Sequence, residues 1–220
     1  MSKRLSPEDL EKTTIVEGWV WPLKDVKCWP WLQREKDLPN KISDHCSQKK
    51  VVVEAGGNAG FYVKAYAHLF ETVYTFEPDN LNFKCLTANV EEKNVIKFQA
   101  CIGFERNLVS LITSRGNIGM YHVAIDDKKI LPGIIPTIRI DDLNLQICDL
   151  IHLDIEGYEL EALRGAENTI RLHKPIIAVE WMNHGSIFGD DDISIEKWLN
   201  ERGYYSIEKI YHENIFAYKE

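Results

Sequence analysis

Short apolar runs recur along the chain, and between them apolar residues return at the three- to four-residue spacing of a helix face. The runs are Val51-Val52-Val53, Val73-Tyr74-Thr75-Phe76, residues 95–100, residues 149–153 and Pro175-Ile176-Ile177-Ala178-Val179. Their continuous, β-branched character fits strands buried on both faces. Helices are predicted through Tyr66, Leu69 and Phe70, from Leu81 to Val90, through Leu160 and Leu163, and from Ile195 to Arg202 with Gly203 as the stop. Strand and helix in alternation predict a doubly wound, mostly parallel α/β sheet. Near the end, Tyr204 to Lys209 and Ile215 to Tyr218 are joined by a short polar link, which predicts an antiparallel pair.

Three stretches break the rhythm. Residues 107–123 alternate apolar and polar positions around Gly116-Asn117, as an inserted antiparallel hairpin would, and Pro136 to Ile140 reads as a further short strand. Ser6-Pro7-Glu8-Asp9 has the hydroxyl, proline and acids of a helix start. Residues 19–31, WVWPLKDVKCWPW, hold four of the 6 tryptophans and two prolines, and irregular structure is expected there. The chain divides into an N-terminal extension, residues 1–48, and one domain, residues 49–220.

Composition narrows the class. With 45% hydrophobic and 27% charged residues in 220, the chain can bury a core, and disorder is excluded for most of its length. The net charge of -8 disfavours broad nucleic-acid binding, because an acidic surface repels phosphate backbones. Cys28, Cys46, Cys85, Cys101 and Cys148 are odd in number and form no CxxC pair, which suits reduced thiols. The first residues lack the apolar stretch of a signal peptide, and no apolar run approaches a membrane span. A cytoplasmic protein is expected, with no membrane partner.

Candidate chemistry begins at Glu54-Ala55-Gly56-Gly57-Asn58-Ala59-Gly60, directly after the first buried run. Glycines there let the backbone turn sharply and approach a ligand, and the following helix offers free N–H groups. Taken alone, the same residues make an ordinary strand-to-helix turn. Glu77 then ends the second run in Phe76-Glu77-Pro78-Asp79, where a carboxylate can accept both hydroxyls of a ribose. Its alternative is a helix N-cap, a role Asp79 fills better. Both features also suit a nicotinamide dehydrogenase, but a GxGxxG fingerprint needs glycine where Ala55 stands. Glu54 at the strand end would repel a pyrophosphate and favour a ligand carrying an ammonium and a sulfonium.

In these motifs the sequence resembles the FkbM-type methyltransferases. That family's D-x-G-A-N-x-G is met by Glu54 to Gly60, with glutamate for aspartate and Gly57 for alanine. Its F-E-P is Phe76-Glu77-Pro78, and its T-L-D-D-L is met in part by residues 137–143, two residues longer before the acidic pair. Its D-L-I-K-I-D-V-E-G-x-E corresponds to residues 149–159, followed by Leu163-Arg164-Gly165-Ala166. Lys174-Pro175 and Glu180 complete the series, which runs in order over most of the chain. The tryptophan-rich start resembles versions carried by large tailed phages, which would place the protein in a host cytoplasm.

The resemblance implies a Rossmann-like class I methyltransferase fold and S-adenosylmethionine as cofactor. The donor is then held by Glu54, Gly56, Asn58, Gly60, Glu77, Ala100 and Asp154, with ribose on Glu77 and adenine beside Ala100 and Cys101. Asp154, Glu156 and His184 are the candidates for base or acceptor orientation, and the acceptor is a hydroxyl of a small molecule or glycan. Each has a structural alternative: Asp154 and Glu156 as caps of the helix near Gly157, His184 as a surface residue. No metal is expected. Asp190-Asp191-Asp192 reads as a solvated turn, and Asp154, Glu180 and Asn183 offer oxygens of the kind magnesium takes without a spacing that marks a site. Trp19, Trp21, Trp29 and Trp31 either anchor the extension on the core or form a lid that stacks on a sugar or base. Two other functions remain open at this point: a nicotinamide-dependent oxidoreductase, and a silent binding or structural protein that keeps the fold.

Overall fold

The computed structural model describes residues 12–25, 27–113, 121–126, 129–130, 133–182 and 192–219. The described part opens with an antiparallel hairpin, Thr13–Val16 (β1) and Trp19–Pro22 (β2), and two short helices, Cys28–Arg34 (α1) and Leu38–Ser43 (α2). Then come Val51–Ala55 (β3), Phe61–Leu69 (α3), Thr72–Phe76 (β4), Asn80–Asn89 (α4) and Val95–Phe98 (β5). An inserted region of short strands follows: Cys101–Ile102 (β6), Leu108–Val109 (β7), Leu111–Thr113 (β8), Tyr121–Val123 (β9), Ile125–Asp126 (β10), Lys129–Ile130 (β11) and Ile135–Ile138 (β12). A 3-10 turn, Ile140–Leu143, leads into Leu150–Leu153 (β13), Glu159–Arg164 (α5), Glu167–His173 (α6) and Ile176–Glu180 (β14). Asp192–Asn200 (α7), Tyr204–Ile210 (β15) and Glu213–Tyr218 (β16) end the chain.

The main sheet has seven strands in the order β15-β16-β14-β13-β3-β4-β5, parallel except for β16, which runs antiparallel to both of its neighbours. Strand alternation assigns its two faces. Val52, Val73, Leu150, Ala178 and Ile215 meet α2, α3 and α4 on one face. Val53, Ile151, Ile177 and Phe216 meet α5, α6 and α7 on the other. Chain order reverses between β3 and β13, so the helices leaving those strands diverge and open a crevice at the carboxyl edge.

The tryptophan-rich segment is ordered, not irregular. Glu17 and Gly18 both have positive φ, 49° and 87°, the backbone of a tight two-residue hairpin turn. This turn pairs Trp21 with Thr14, and the prolines end β2 and sit in the first turn of α1, where a missing N–H costs little. The Asp25 carboxylate accepts from the Cys28 and Trp29 amides at 3.0 and 3.1 Å and from the Trp21 indole at 2.8 Å, so it starts α1 and ties it to the hairpin. Asn89, closing α4, exchanges two 2.8 Å hydrogen bonds with the Val20 backbone and so clips β2 to the core.

Other boundaries moved. The run over residues 95–100 ends at Phe98, and Cys101–Ile102 turns off to pair with β12 in a separate sheet. The strand expected from Pro136 to Ile140 is Ile135–Ile138, and Ile140 already belongs to the 3-10 turn. The inserted hairpin appears as β8 pairing antiparallel with β9, while Gly116-Asn117 lies outside the described residues, as does the helix start at residues 6–9. Among the described residues no helix is long and apolar enough to cross a membrane.

Candidate active site

The turn after β3 is shaped by contacts that only glycine permits. Gly56 has φ +97°, and a Cβ on it would collide with the Asp154 carbonyl oxygen. Gly56 and Gly57 each donate their N–H to the Phe76 carbonyl at 3.0 Å, which holds the turn between the ends of β4 and β13. Gly60 serves a different purpose. A Cβ there would meet Val90 Cγ2 at 2.6 Å and Leu86 Cδ1 at 3.0 Å, so this glycine lets the start of α3 lie against α4.

Above the turn lies a cavity of about 340 Å³, within the usual range for small-ligand sites. Gly56, Asn58, Glu77, Ala100, Asp154 and Glu156 all line it, so most of the residues expected from the sequence meet in one place. Glu54 and Gly60, also expected as donor contacts, do not line it. The strand's alternation turns Glu54 beneath the turn, where it is 2% exposed and accepts a 2.5 Å hydrogen bond from Thr75 Oγ1. Gly60 is taken up by helix packing. His184 and Asn183 lie outside the described residues, as do Asp190 and Asp191.

Glu77 stands at the carboxyl end of β4, 4% exposed. Its two oxygens accept from the Asn58 amide at 2.8 Å and the Asp79 amide at 2.7 Å, which aims the carboxyl into the cavity beside the glycine turn. Burial pushes its pKa up to about 8, against the two amide hydrogen bonds. Burial likewise lifts Glu54 to about 7. The N-cap role next to Glu77 belongs to Asp79, whose Oδ1 accepts from Leu81 and Asn82 at 3.0 and 2.9 Å.

Asp154 follows β13 directly and is half-buried on the floor of the cavity. Its proton affinity is raised well above the carboxylate norm, first by burial and then by the charges of Glu180, Glu213 and Glu156. Neither Asp154 nor Glu156 caps the helix that follows: α5 starts at Glu159 with Tyr158 at the N-cap position and no capping side chain. The turn is braced from within by Glu159 Oε1, which accepts from the Ile155 and Gly157 amides at 3.1 and 3.0 Å. Glu156 takes a left-handed conformation, φ 59°, at the sharpest point of that turn. Strain of this kind in a non-glycine residue concentrates at functional sites.

The other wall comes from Trp31, which the sequence offered as an anchor or a lid, and from residues it did not mark. Trp31, Leu32 and Glu35 of α1 and its flank line the cavity, and so do Tyr62, His212 and Glu213. Trp31 stacks on His212 with ring centroids 4.9 Å apart and planes at 27°. Burial raises the Glu35 carboxyl's pKa, while hydrogen bonds from Trp31 and Tyr62 oppose the rise. The four tryptophans thus divide: Trp19 and Trp29 pack on Phe61 at the start of α3, with Trp21 against Trp29, as an anchor, and Trp31 faces the cavity. A helical i, i+4 spacing of Trp31 and Glu35 was the available signal, hidden by the expectation of irregular structure. The acidic pair in the third motif is structural. Asp141 accepts from the Asn168 and Thr169 amides at the start of α6, and Asp142 clamps Arg106 and Arg139.

An open seven-stranded sheet with one antiparallel strand next to an edge, and a glycine turn and two carboxylates at its switch point, defines a class I methyltransferase fold. The model of the methyltransferase FkbM domain matches residues 54–205, well over half of the chain. The chain belongs to that family, and its cofactor is S-adenosylmethionine. Among solved structures, it resembles the methyltransferase FkbM of Methylobacillus flagellatus at 19% identity and TM-score 0.53, over 77% of this chain and 44% of the other. This chain therefore spans less than half of that protein's length. It also resembles the precorrin-6y C5,15-methyltransferase of Geobacter metallireducens at 12% identity and TM-score 0.50, over 85% of this chain and 88% of the other. At these identities the likeness is one of fold. No curated protein matches the sequence.

Proposed function

We propose that the cavity holds S-adenosylmethionine on its β3–β4–β5 side and transfers the methyl group to a hydroxyl of a small molecule or glycan entering from the Trp31 side. The observation that carries this reading is Glu77, a buried carboxylate aimed by two backbone amides into the cavity that the Gly56-Gly57 turn floors. A ribose there gives its hydroxyl hydrogens to Glu77, the adenine lies against Ala100 and Cys101, and the cationic end points toward Asp154. Residues 1–48 act as an extension of the domain at 49–220 and supply the acceptor-side wall through Lys27, Trp31 and Glu35.

Methyl transfer is a displacement at the sulfonium carbon. The acceptor oxygen gives up its proton and forms the new O–C bond; the C–S bond breaks and its electron pair stays on sulfur. Asp154 suits the proton-accepting role by position, because it follows the carboxyl end of β13 into the cavity, where the donor's cationic end would keep it ionised. The stacked Trp31–His212 pair offers a flat face for a sugar or planar ring.

The test is donor consumption with a panel of hydroxylated acceptors, alongside calorimetry with the donor, its demethylated product and NAD. Asp154→Asn is expected to lose about 10²–10⁴-fold in turnover while unfolding cooperatively. Equal turnover by the two proteins would assign Asp154 to structure. Tight donor binding without turnover on any acceptor would favour a silent binding protein, and NAD binding in place of the donor would sink the reading.

A further inference from the structure

Three neighbouring strands each place an acid at the same level on the same face of the sheet. Leu150, Ala178 and Ile215 share the face toward α2 and α3, so the two-residue period puts Asp154, Glu180 and Glu213 there too. Leu153 is in register with Val179, which sets Asp154 level with Glu180, and Glu180 is the direct ladder partner of Glu213. Like charges directly opposite one another in a sheet are destabilising. Glu156 leans in from the turn after β13, and carboxylate oxygens of Asp154, Glu156 and Glu180 all lie within 4.8 Å of one another. Oxygens around one hard divalent ion at about 2.0–2.6 Å stand roughly 3–5 Å apart, so this spacing fits a shared ion.

A second observation points the same way. Glu213 is 3% exposed, lines the cavity, and its Oε2 has no hydrogen-bond partner. Its other oxygen stands 3.6 Å from His152 Nε2, too far for a hydrogen bond. A buried carboxylate oxygen left in that state costs free energy unless a ligand completes it. Of the described residues lining the cavity, six are acids (Glu35, Glu77, Asp154, Glu156, Glu180 and Glu213) and two, Lys27 and His212, are potential cations, with His152 behind Glu213.

We propose that Asp154, Glu156 and Glu180 bind a hard divalent cation of the magnesium, manganese or calcium class, with Glu213 beside it as a ligand directly or through water. The donor set is all oxygen, which selects these ions over zinc or copper. The inference rests on the methyltransferase reading for its role: the ion would take the acceptor's hydroxyl oxygen as a further ligand and ease passage of its proton to the Asp154 oxygen that does not hold the ion, before the O–C bond forms.

The probe is Mn²⁺, titrated in metal-free buffer without donor and followed by the loss of the free-ion EPR signal. One site per chain is expected, weakened at least tenfold in Glu180→Gln and in Asp154→Asn and unchanged in Asp44→Asn, a surface control. Competition by Mg²⁺ or Ca²⁺ is expected to restore the free-ion signal. Glu213→Gln supplies a further arm, with circular dichroism confirming that each variant folds. No binding at millimolar Mn²⁺, or binding that Glu180→Gln and Asp154→Asn leave intact, overturns the site. Donor calorimetry on the same proteins in chelator separates the two readings: donor binding without Mn²⁺ binding sinks only the ion, and Mn²⁺ binding without donor binding sinks only the donor site.

Discussion

The two sides of the crevice treat their acids in opposite ways. On the β4 side every carboxylate has protein donors. Glu77 takes two backbone amides, Asp79 takes two more, and Glu54 takes the Thr75 hydroxyl. On the β13–β14–β16 side, Asp154, Glu180 and Glu213 stand in a row, and a buried oxygen of Glu213 has no hydrogen-bond donor. One side is finished before a ligand arrives. The other leaves a buried carboxylate oxygen for a ligand to complete, a common sign of a working site.

The sharpest way to break this comparison is at the hinge between the sides. Gly56→Ala forces a side chain onto the Asp154 carbonyl at φ +97° and is expected to cost about 2–5 kcal/mol of stability, with donor binding lost. Thermal unfolding and donor calorimetry check it, and a variant as stable as the parent would mean the two sides do not meet there.

Next in size is Glu77→Ala, which removes the ribose acceptor and should weaken the donor by about 1.5–3 kcal/mol, roughly tenfold to a hundredfold. The pH dependence carries its own sign. Glu77 has its folded pKa raised to about 8, so it holds a proton that the unfolded chain has released above the ordinary carboxylate range. Its contribution to stability is therefore full at low pH and is lost as pH rises toward 8. Ribose hydroxyls favour the ionised form, so donor affinity should rise over the same window in the parent and not in Glu77→Gln. An identical pH profile in both would remove Glu77 from the ribose.

The smallest effect has the opposite sign. Glu213→Gln, measured in chelator, relieves the row and should stabilise the protein by about 0.2–1 kcal/mol, or up to roughly 2–4 °C in a domain of this size. Removing a carboxylate thus harms one side and helps the other. Destabilisation by Glu213→Gln would show that the row is held together by His152 rather than strained.

Much of this was legible in the residues themselves because its causes are local. Unbroken apolar runs separated by helix-period stretches lead to a parallel sheet, and a glycine cluster after the first run leads to a turn that can approach a ligand. Glu77 was readable because a strand end in this topology must lie at the carboxyl edge. Glu17-Gly18 is likewise a local turn signal, masked by the prolines and tryptophans that follow it.

What only the tertiary structure decided depends on register and on which face a residue meets. Glu54 and Glu77 are both acids at strand ends, yet alternation turns the first under Thr75 and the second into the cavity. Glu213 lies 33 positions from Glu180 in the chain (213 − 180), and no local pattern pairs them; the antiparallel ladder of β14 with β16 does. Trp31 and Glu35 reach the site because Asp25 starts α1 and Asn89 clips β2 onto the core. Periodicity speaks for the neighbours of a residue along the chain; a one-residue slip between strands would send each acid to the opposite face, and that choice is made by packing across the whole sheet.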